Sequence, residues 1–345
     1  MKLGQWIGLL ALITSFYILW QIRDLLLLLF TAVVLAVAIN KLVDRFQHSG
    51  VKRIWGVWLS LGIIITLLTG VFLLILPQFV RQVQELFSLL PTGINQMNKS
   101  IEWLQTRLTG WNIEIPDING IISQIQPLAN NFIAQIYTLF STSITVLLQV
   151  LLVLVLTIML LINPQPYRRG FVRCFPSFYR YRVEEILTKC REGLGSWTIG
   201  ALIEMLFIAI LSGVGLWVLG VPLALAHAVL AGLLNFIPNI GPTLSAVFPM
   251  TVAFLDEPWK VIAVLILYVI IQNVESYWLT PTVMAKQVAL LPAITLTSQL
   301  FFTTFFGALG LLMALPLTVV AKIWIEESLF KDVLDRWENL PSRFK

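Results

Sequence analysis

The sequence predicts an all-α integral membrane protein: six spanning helices, two re-entrant helical hairpins in an inverted repeat, and an extracytoplasmic amphipathic helical segment. Three observations lead there. Of 345 residues, 58% are hydrophobic and only 12% are charged. A soluble domain is about 45–50% apolar and about 25% charged, and a water-soluble globule with so little charge could not cover its own core. Six apolar runs are candidate spans, a full crossing of about 30 Å of hydrocarbon taking about 20 helical residues. Two further runs, 222–255 and 290–325, are too long for one span and are broken in the middle. The same composition argues against a disordered chain, a disulfide-rich secreted scaffold and a nucleic-acid partner.

The spans, in order, are 3–21, 25–39, 54–76, 143–162, 198–219 and 260–279. Only Arg23-Asp24 separates the first two, which predicts a tight helical hairpin. Lys2 before an apolar run resembles a signal peptide, but no small-residue cleavage site precedes the next span, so the first helix is expected to stay. Net charge is +5, and its distribution sets the orientation. Lys41, Arg45, Lys52 and Arg53 outnumber Asp44 in one loop. Arg168, Arg169, Arg173, Arg180, Arg182, Lys189 and Arg191 outnumber Glu184, Glu185 and Glu192 in another. The positive-inside rule places both loops and both termini in the cytoplasm, and 77–142 outside. Cys174 and Cys190 lie in the second basic segment without a CxxC, so they read as reduced thiols, with no metal expected. The resulting divisions are 1–76 (three spans), 77–142 (external), 143–196 (fourth span and basic segment), 197–325 (core with the broken hairpins) and 326–345 (cytoplasmic tail).

In 77–142, apolar residues recur at three- and four-residue steps from Phe79 to Leu108 and again from Ile118 to Leu139. This predicts two amphipathic helices that pack on each other, on the membrane surface or on a neighbouring subunit.

The stretch LLNFIPNIGPTLSAVFPM, 233–250, cannot be one helix: Pro238, Gly241 and Pro242 fall within five residues. The arms 223–237 and 243–255 are each too short to cross alone, so a re-entrant hairpin is expected. Exposed backbone at membrane depth is tolerated only where it is buried in protein or lines a wet cavity, which makes the tip a candidate site. The second stretch turns at FFGALG, 305–310, and its descending arm LLMALPLTV aligns with LSAVFPMTV of the first, Pro316 over Pro249 and Thr318 over Thr251. Each hairpin follows one span, and the two spans run in opposite directions, as in the inverted repeats of secondary transporters. Two ordinary tilted spans per stretch, or one kinked span, are the alternatives.

Ionisable groups inside spans are costly unless they face a cavity or a partner. Glu204 stands in the fifth span; Gln272, Asn273, Glu275 and Ser276 cluster in the sixth. Asn235 and Asn239 flank the first break, while Thr297, Ser298, Gln299, Thr303 and Thr304 lie on the rising arm of the second. For the hydroxyls, bonding back to helix carbonyls is the competing account; for Asn235 it is an interhelical hydrogen bond. His227 reads as a packing histidine. No HExxH, GxSxG or P-loop occurs, so transport rather than catalysis is expected, without a cofactor.

These residues resemble the autoinducer-2 exporter family of bacterial multi-pass permeases. NFIPNIGP is similar to its first signature, and QNVESYWLTPTVMAKQVALLP to its second, with Glu275, Pro281, Met284 and Pro292 matching. Gly220-Val221-Pro222 resembles the family's entry into the first hairpin. Where the family commonly has Gly-Gln in the fifth span this chain has Gly200-Ala201, and where it often has Gly after the matched Met it has Ala285. The resemblance implies a bacterial inner-membrane location, a homo-oligomer (pentamers occur in the family) and export of a small molecule; some members are linked to sodium–proton antiport. The expected binding set is Glu204, Asn235, Pro238, Asn239, Gly241, Pro242, Gln272, Asn273, Glu275, Gln299, Thr303, Gly307 and Gly310. Glu275 or Glu204 would couple a small solute to a proton or sodium ion. The expected partners are that solute or ion, membrane lipid and further copies of the chain. Ion antiport and a non-transporting scaffold are the competing readings.

Overall fold

The structure, a computed structural model, describes residues 10–77 (apart from 11, 12, 16, 72 and 74–76), 143–238, 240–284 and 291–335. All regular elements among the described residues are helical. In chain order they are α1 (Arg23–His48), α2 (Arg53–Val71), α3 (Ser143–Ile162), α4 (Pro164–Arg173), α5 (Arg180–Val218), α6 (Ala224–Leu234), α7 (Ile240–Asp256), α8 (Pro258–Val274), α9 (Thr280–Met284) and α10 (Pro292–Trp324). Wide-turned π-helical stretches follow α8 (Glu275–Leu279) and α10 (Ile325–Leu334).

Among the described residues, five helices are long and apolar enough to cross a membrane, and six if the bent pair α3 and α4 counts as one. The expected spans from 25–39 onward coincide with α1, α2, α3, the second half of α5, and α8 with its π-turn. Most of span 3–21 and residues 78–142, the expected external helices, lie outside the described residues. The tight hairpin expected at Arg23-Asp24 is not formed. Ile22 N–H donates to Ile18 O, and Leu26 N–H to Ile22 O, both at 3.0 Å, so helical bonds continue on both sides of Ile22, the single residue (φ −97, ψ 8) at which α1 begins. Two charged residues without Gly or Pro supply no turn, and Arg23 lies over the Trp20 ring at 4.3 Å.

The lipid-facing character of the surface is plain on α8. Ile262, Leu265, Ile266, Val269 and Ile270 are exposed, whereas Val264, Tyr268, Ile271 and, just beyond the helix, Glu275 are buried. A broad apolar face is thus exposed while the hydroxyl of Tyr268 and the carboxyl of Glu275 are turned in, unlike a soluble helix.

The chain divides into two compact units. The first comprises 1–65, 149–203 and 280–345. Its core joins Ala36, Ile39 and Val43 of α1 to Val57 and Leu61 of α2 and Leu161 of α3. Arg53 Nε donates to Leu161 O at 2.9 Å, capping the last turn of α3 with a cation. α5 has 39 residues, about 58 Å, so its charged first turns must project beyond the hydrocarbon. There an ion network ties α5 to the extension of α10. Glu327, 5% exposed, accepts from Arg182 at 2.8 Å, Lys189 at 2.9 Å and Lys331 at 2.6 Å, and Arg182 also reaches Asp332 at 3.2 Å. Burial would raise the Glu327 carboxyl, but the hydrogen bonds from Lys331 and Lys189 hold it down at about 2. Close by on α5, burial pushes the Cys190 thiol up to about 11, which keeps it unreactive.

The second unit comprises 66–148 and 204–279. α5 ends in a Schellman cap: Gly220, at φ 64, sits at C′, Val221 N–H donates to Leu216 O, and Gly220 N–H donates to Trp217 O. Beyond Pro222 the chain enters α6, then α7, which packs against α6, then α8, which packs against α7. Leu216, Val221, Ala253, Val264 and Tyr268 form the core at this end.

Candidate functional site

The second unit brings three polar side chains to one level by helical phase. α5 buries Glu204, Ile208, Ser212 and Leu216, one residue per turn on a single face. Against that face lies α6, in a seam of small residues. A Cβ on Gly232 would meet Met205 O at 2.6 Å and the Ala209 Cβ at 2.8 Å, and a Cβ on Gly213 would meet the Ala228 Cβ at 3.0 Å. Ala209/Gly213 on one helix and Ala228/Gly232 on the other are four-residue pairs that let the backbones approach, as in membrane helix packing. The register is antiparallel, and Ile208, Ala231 and Ile271 meet in an apolar layer. Glu204, Asn235 and Glu275 each stand four residues from a member of that layer, on the side where Gly232 meets Met205.

At that level Asn235 Nδ2 donates to Glu275 Oε1 at 2.9 Å, and Gln272 Nε2 donates to Glu275 Oε2 at 3.3 Å. Each carboxylate oxygen therefore holds one amide donor. Asn235 Oδ1 is buried and has no hydrogen-bond partner among the described residues. Two local features place these groups. Glu275 opens the π-helical turn Glu275–Leu279, where an extra residue widens the helix, a distortion common at functional sites. Asn235 ends α6, its own N–H bonded to Ala231 O, where the chain must break because Pro238 follows. In the break, Phe236, Ile237 and Gly241 donate to Leu233, Leu234 and Ile237 carbonyls, so those amides are satisfied locally. Gly241 is needed because any Cβ there would collide with the Leu234 carbonyl.

The first unit carries the other predicted set. Gly307 interrupts α10 with φ 62 and ψ −146, a conformation open mainly to glycine. A Cβ on Gly310 would collide with the Phe302 carbonyl, although eight residues of continuous helix would hold them about 12 Å apart. The helix is therefore sharply kinked between Phe302 and Gly310. The segments on either side of the kink line an open cavity of about 710 Å³, with Ile294, Thr297 and Phe301 on one side and Thr318, Ala321 and Ile325 on the other.

Of the predicted residues, Asn235, Gln272 and Glu275 are bonded together, and Glu204 shares their level. Pro238 lies in the adjoining break, and Gly241 and Pro242 in the first turn of α7. Asn239 lies outside the described residues. Asn273 is exposed and donates to Val269 O of its own helix at 2.7 Å, one helical step away from the site. Gln299 is buried on the rising arm of α10, and Thr303 donates to Gln299 O at 2.5 Å, the back-bonding that competed with a binding role. The small-residue seam was not among the expected site residues, although its paired four-residue spacing is visible in the sequence. Nothing in sequence signalled the trio Tyr268, Ser212 and Ser245, buried hydroxyl-bearing side chains brought together from three helices.

The profile of the AI-2E family transporters matches residues 9–330. The chain is 26% identical over 307 residues to YhhT of Escherichia coli (strain K12), covering 88% of this chain and 84% of that protein. It is 25% identical over 287 residues to YueF of Bacillus subtilis (strain 168), covering 81% and 78% respectively. Both are named "Putative transport protein". It is also 25% identical over 310 residues to the AI-2 transport protein TqsA of Escherichia coli (strain K12), covering 86% and 84%. With the match running through both signatures and nearly the whole length, this multi-pass membrane protein belongs to the AI-2E transporter family.

Proposed function

We propose that the chain is a secondary transporter that exports a small organic solute by alternating access, with Glu275, Asn235 and Gln272 as its binding and coupling centre. The observation that carries this is a carboxyl buried in a membrane-spanning helix and held only by neutral amides at the edge of a helix break. Among the described residues no cation hydrogen-bonds Glu275, so a proton or a small ion completes it. A proton adds without disturbing the pair, because a rotated Asn235 amide offers its oxygen to a protonated carboxyl as readily as its NH2 to a carboxylate. Asn235 Oδ1, a buried oxygen free to accept, also favours a second reading in which the carboxylate and the amide oxygen hold sodium for antiport.

Both broken stretches act as re-entrant hairpins related by an inverted repeat. Supporting this, each places a glycine against the last carbonyls of its rising arm, Gly241 on Leu234 and Gly310 on Phe302. Each also carries a fully buried proline in its descending arm, Pro249 and Pro316. Glu204 tunes the centre from the same level of α5. The basic segments and both termini are cytoplasmic, in the inner membrane of a bacterium.

The test is flux in proteoliposomes with autoinducer-2, suggested by the name of one relative, and a wider solute panel, under imposed proton and sodium gradients. Solute efflux that loses its ion dependence in Glu275→Gln supports coupled transport. Ion exchange without any solute supports antiport. Wild-type protein that moves neither solute nor ion rejects both readings in favour of a scaffold.

A further inference from the structure

The transport reading leaves unused the basic segment between α3 and α5. Pro164 drives Asn163 out of the helical region (φ −143, ψ 84), and α4 departs from α3 at 95°. A helix turned through a right angle at the end of a span lies along the membrane surface. Between 164 and 182 the chain has five arginines and no Asp or Glu. Two of them serve the protein itself: Arg168 donates to Glu184 O and Thr188 Oγ1, and Arg182 belongs to the Glu327 network. The other three, Arg169, Arg173 and Arg180, are exposed and make no ion pair among the described residues, although Arg180 Nε also donates to Phe175 O at 3.0 Å.

Beside them stand four exposed aromatic side chains, Tyr167, Phe171, Phe178 and Tyr181, with Phe178 86% and Tyr181 83% exposed. Such rings are unfavourable in water and favourable at the boundary of headgroups and acyl chains. The platform is held from behind. Val172 is buried, and Phe175 stacks on Trp324 with ring centroids 6.0 Å apart.

We propose that residues 164–181 form a binding site for anionic phospholipid, with Arg169, Arg173 and Arg180 taking headgroup phosphates while the aromatic rings enter the interface. Zwitterionic lipid meets the rings equally well but leaves the three charges without a net anion, so headgroup charge is the discriminating property.

The test uses full-length protein in a neutral detergent, titrated with phosphatidylglycerol or with phosphatidylcholine of the same chains, bound lipid being counted by native mass spectrometry. Wild type should prefer phosphatidylglycerol at least tenfold. The R169Q/R173Q/R180Q variant should lose about a hundredfold of that binding, at about 1 kcal/mol per contact. Replacing the same three by Lys should retain most of it. R45Q/K52Q, in the other basic loop, should bind as wild type does. Equal binding of the two lipids, an unchanged preference in the Gln variant, or the same loss in R45Q/K52Q would overturn the site. So would polyglutamate competing better than phosphatidylglycerol, which would assign the surface to an acidic protein.

Discussion

At the break between α6 and α7 the chain turns in a filled, polar seat. Asn235 is buried against Glu275, and the small-residue seam with α5 leaves no room for a methyl at Gly232. At the break inside α10 the surroundings are open. Nothing lies within 4 Å of where a Gly307 Cβ would stand, and an apolar cavity of about 710 Å³ separates the arms below. The second stretch is secured instead at its far end, where Glu327 gathers Arg182, Lys189 and Lys331. A glycine-dependent break thus occurs in two settings, one closely packed and polar, the other open and apolar.

The largest effect should test what the two breaks share. G241A and G310A each force a methyl onto a backbone carbonyl that no side-chain rotation can relieve. Each should lose about 3 kcal/mol or more in thermal unfolding of the detergent-solubilised protein. If only one is destabilised, the likeness between the breaks fails. Next is the polar seat. N235L removes a donor from a buried carboxyl and should cost about 2–3 kcal/mol, while N235L/E275Q should cost less than the sum of the single changes. Additive losses would mean that the 2.9 Å bond contributes nothing.

G307A tests the open break. Backbone strain alone should cost about 2 kcal/mol, with no steric addition. The far-end anchor is tested by E327Q, at about 1.5 kcal/mol near neutrality. Because the folded Glu327 carboxyl sits at about 2, below an unfolded value of about 4.3, its contribution is complete above the unfolded value. It is lost as pH falls through the folded one, so the wild-type advantage over E327Q should vanish towards pH 2. The smallest effect belongs to A321F, which fills the cavity between the arms and should change stability by under about 0.5 kcal/mol. A large loss would show that the arms close over that space.

Legibility followed the range of the interaction. The first break needed only Pro238, Gly241 and Pro242, and the second only Gly307 within FFGALG, because proline and glycine act on their own backbone. Arg23-Asp24 interrupts the apolar run but not the helical bonding, which needs only permissive φ and ψ. Gln272 and Asn273 looked equivalent in sequence; one helical step of 100° sends the first to Glu275 and the second to solvent-side backbone. The π-turn that presents Glu275 has no Gly or Pro to announce it.

By itself the sequence determined the solvent, the approximate spans and the places where helix could not continue, since these depend on apolar transfer and local backbone sterics. Only the tertiary structure decided which polar residues share a level. Asn235 meets Glu275 forty positions away, and Arg182 meets Glu327 at a separation of 145. Such contacts depend on the rotation and register of whole helices, set by how small residues such as Gly232 let neighbouring backbones approach.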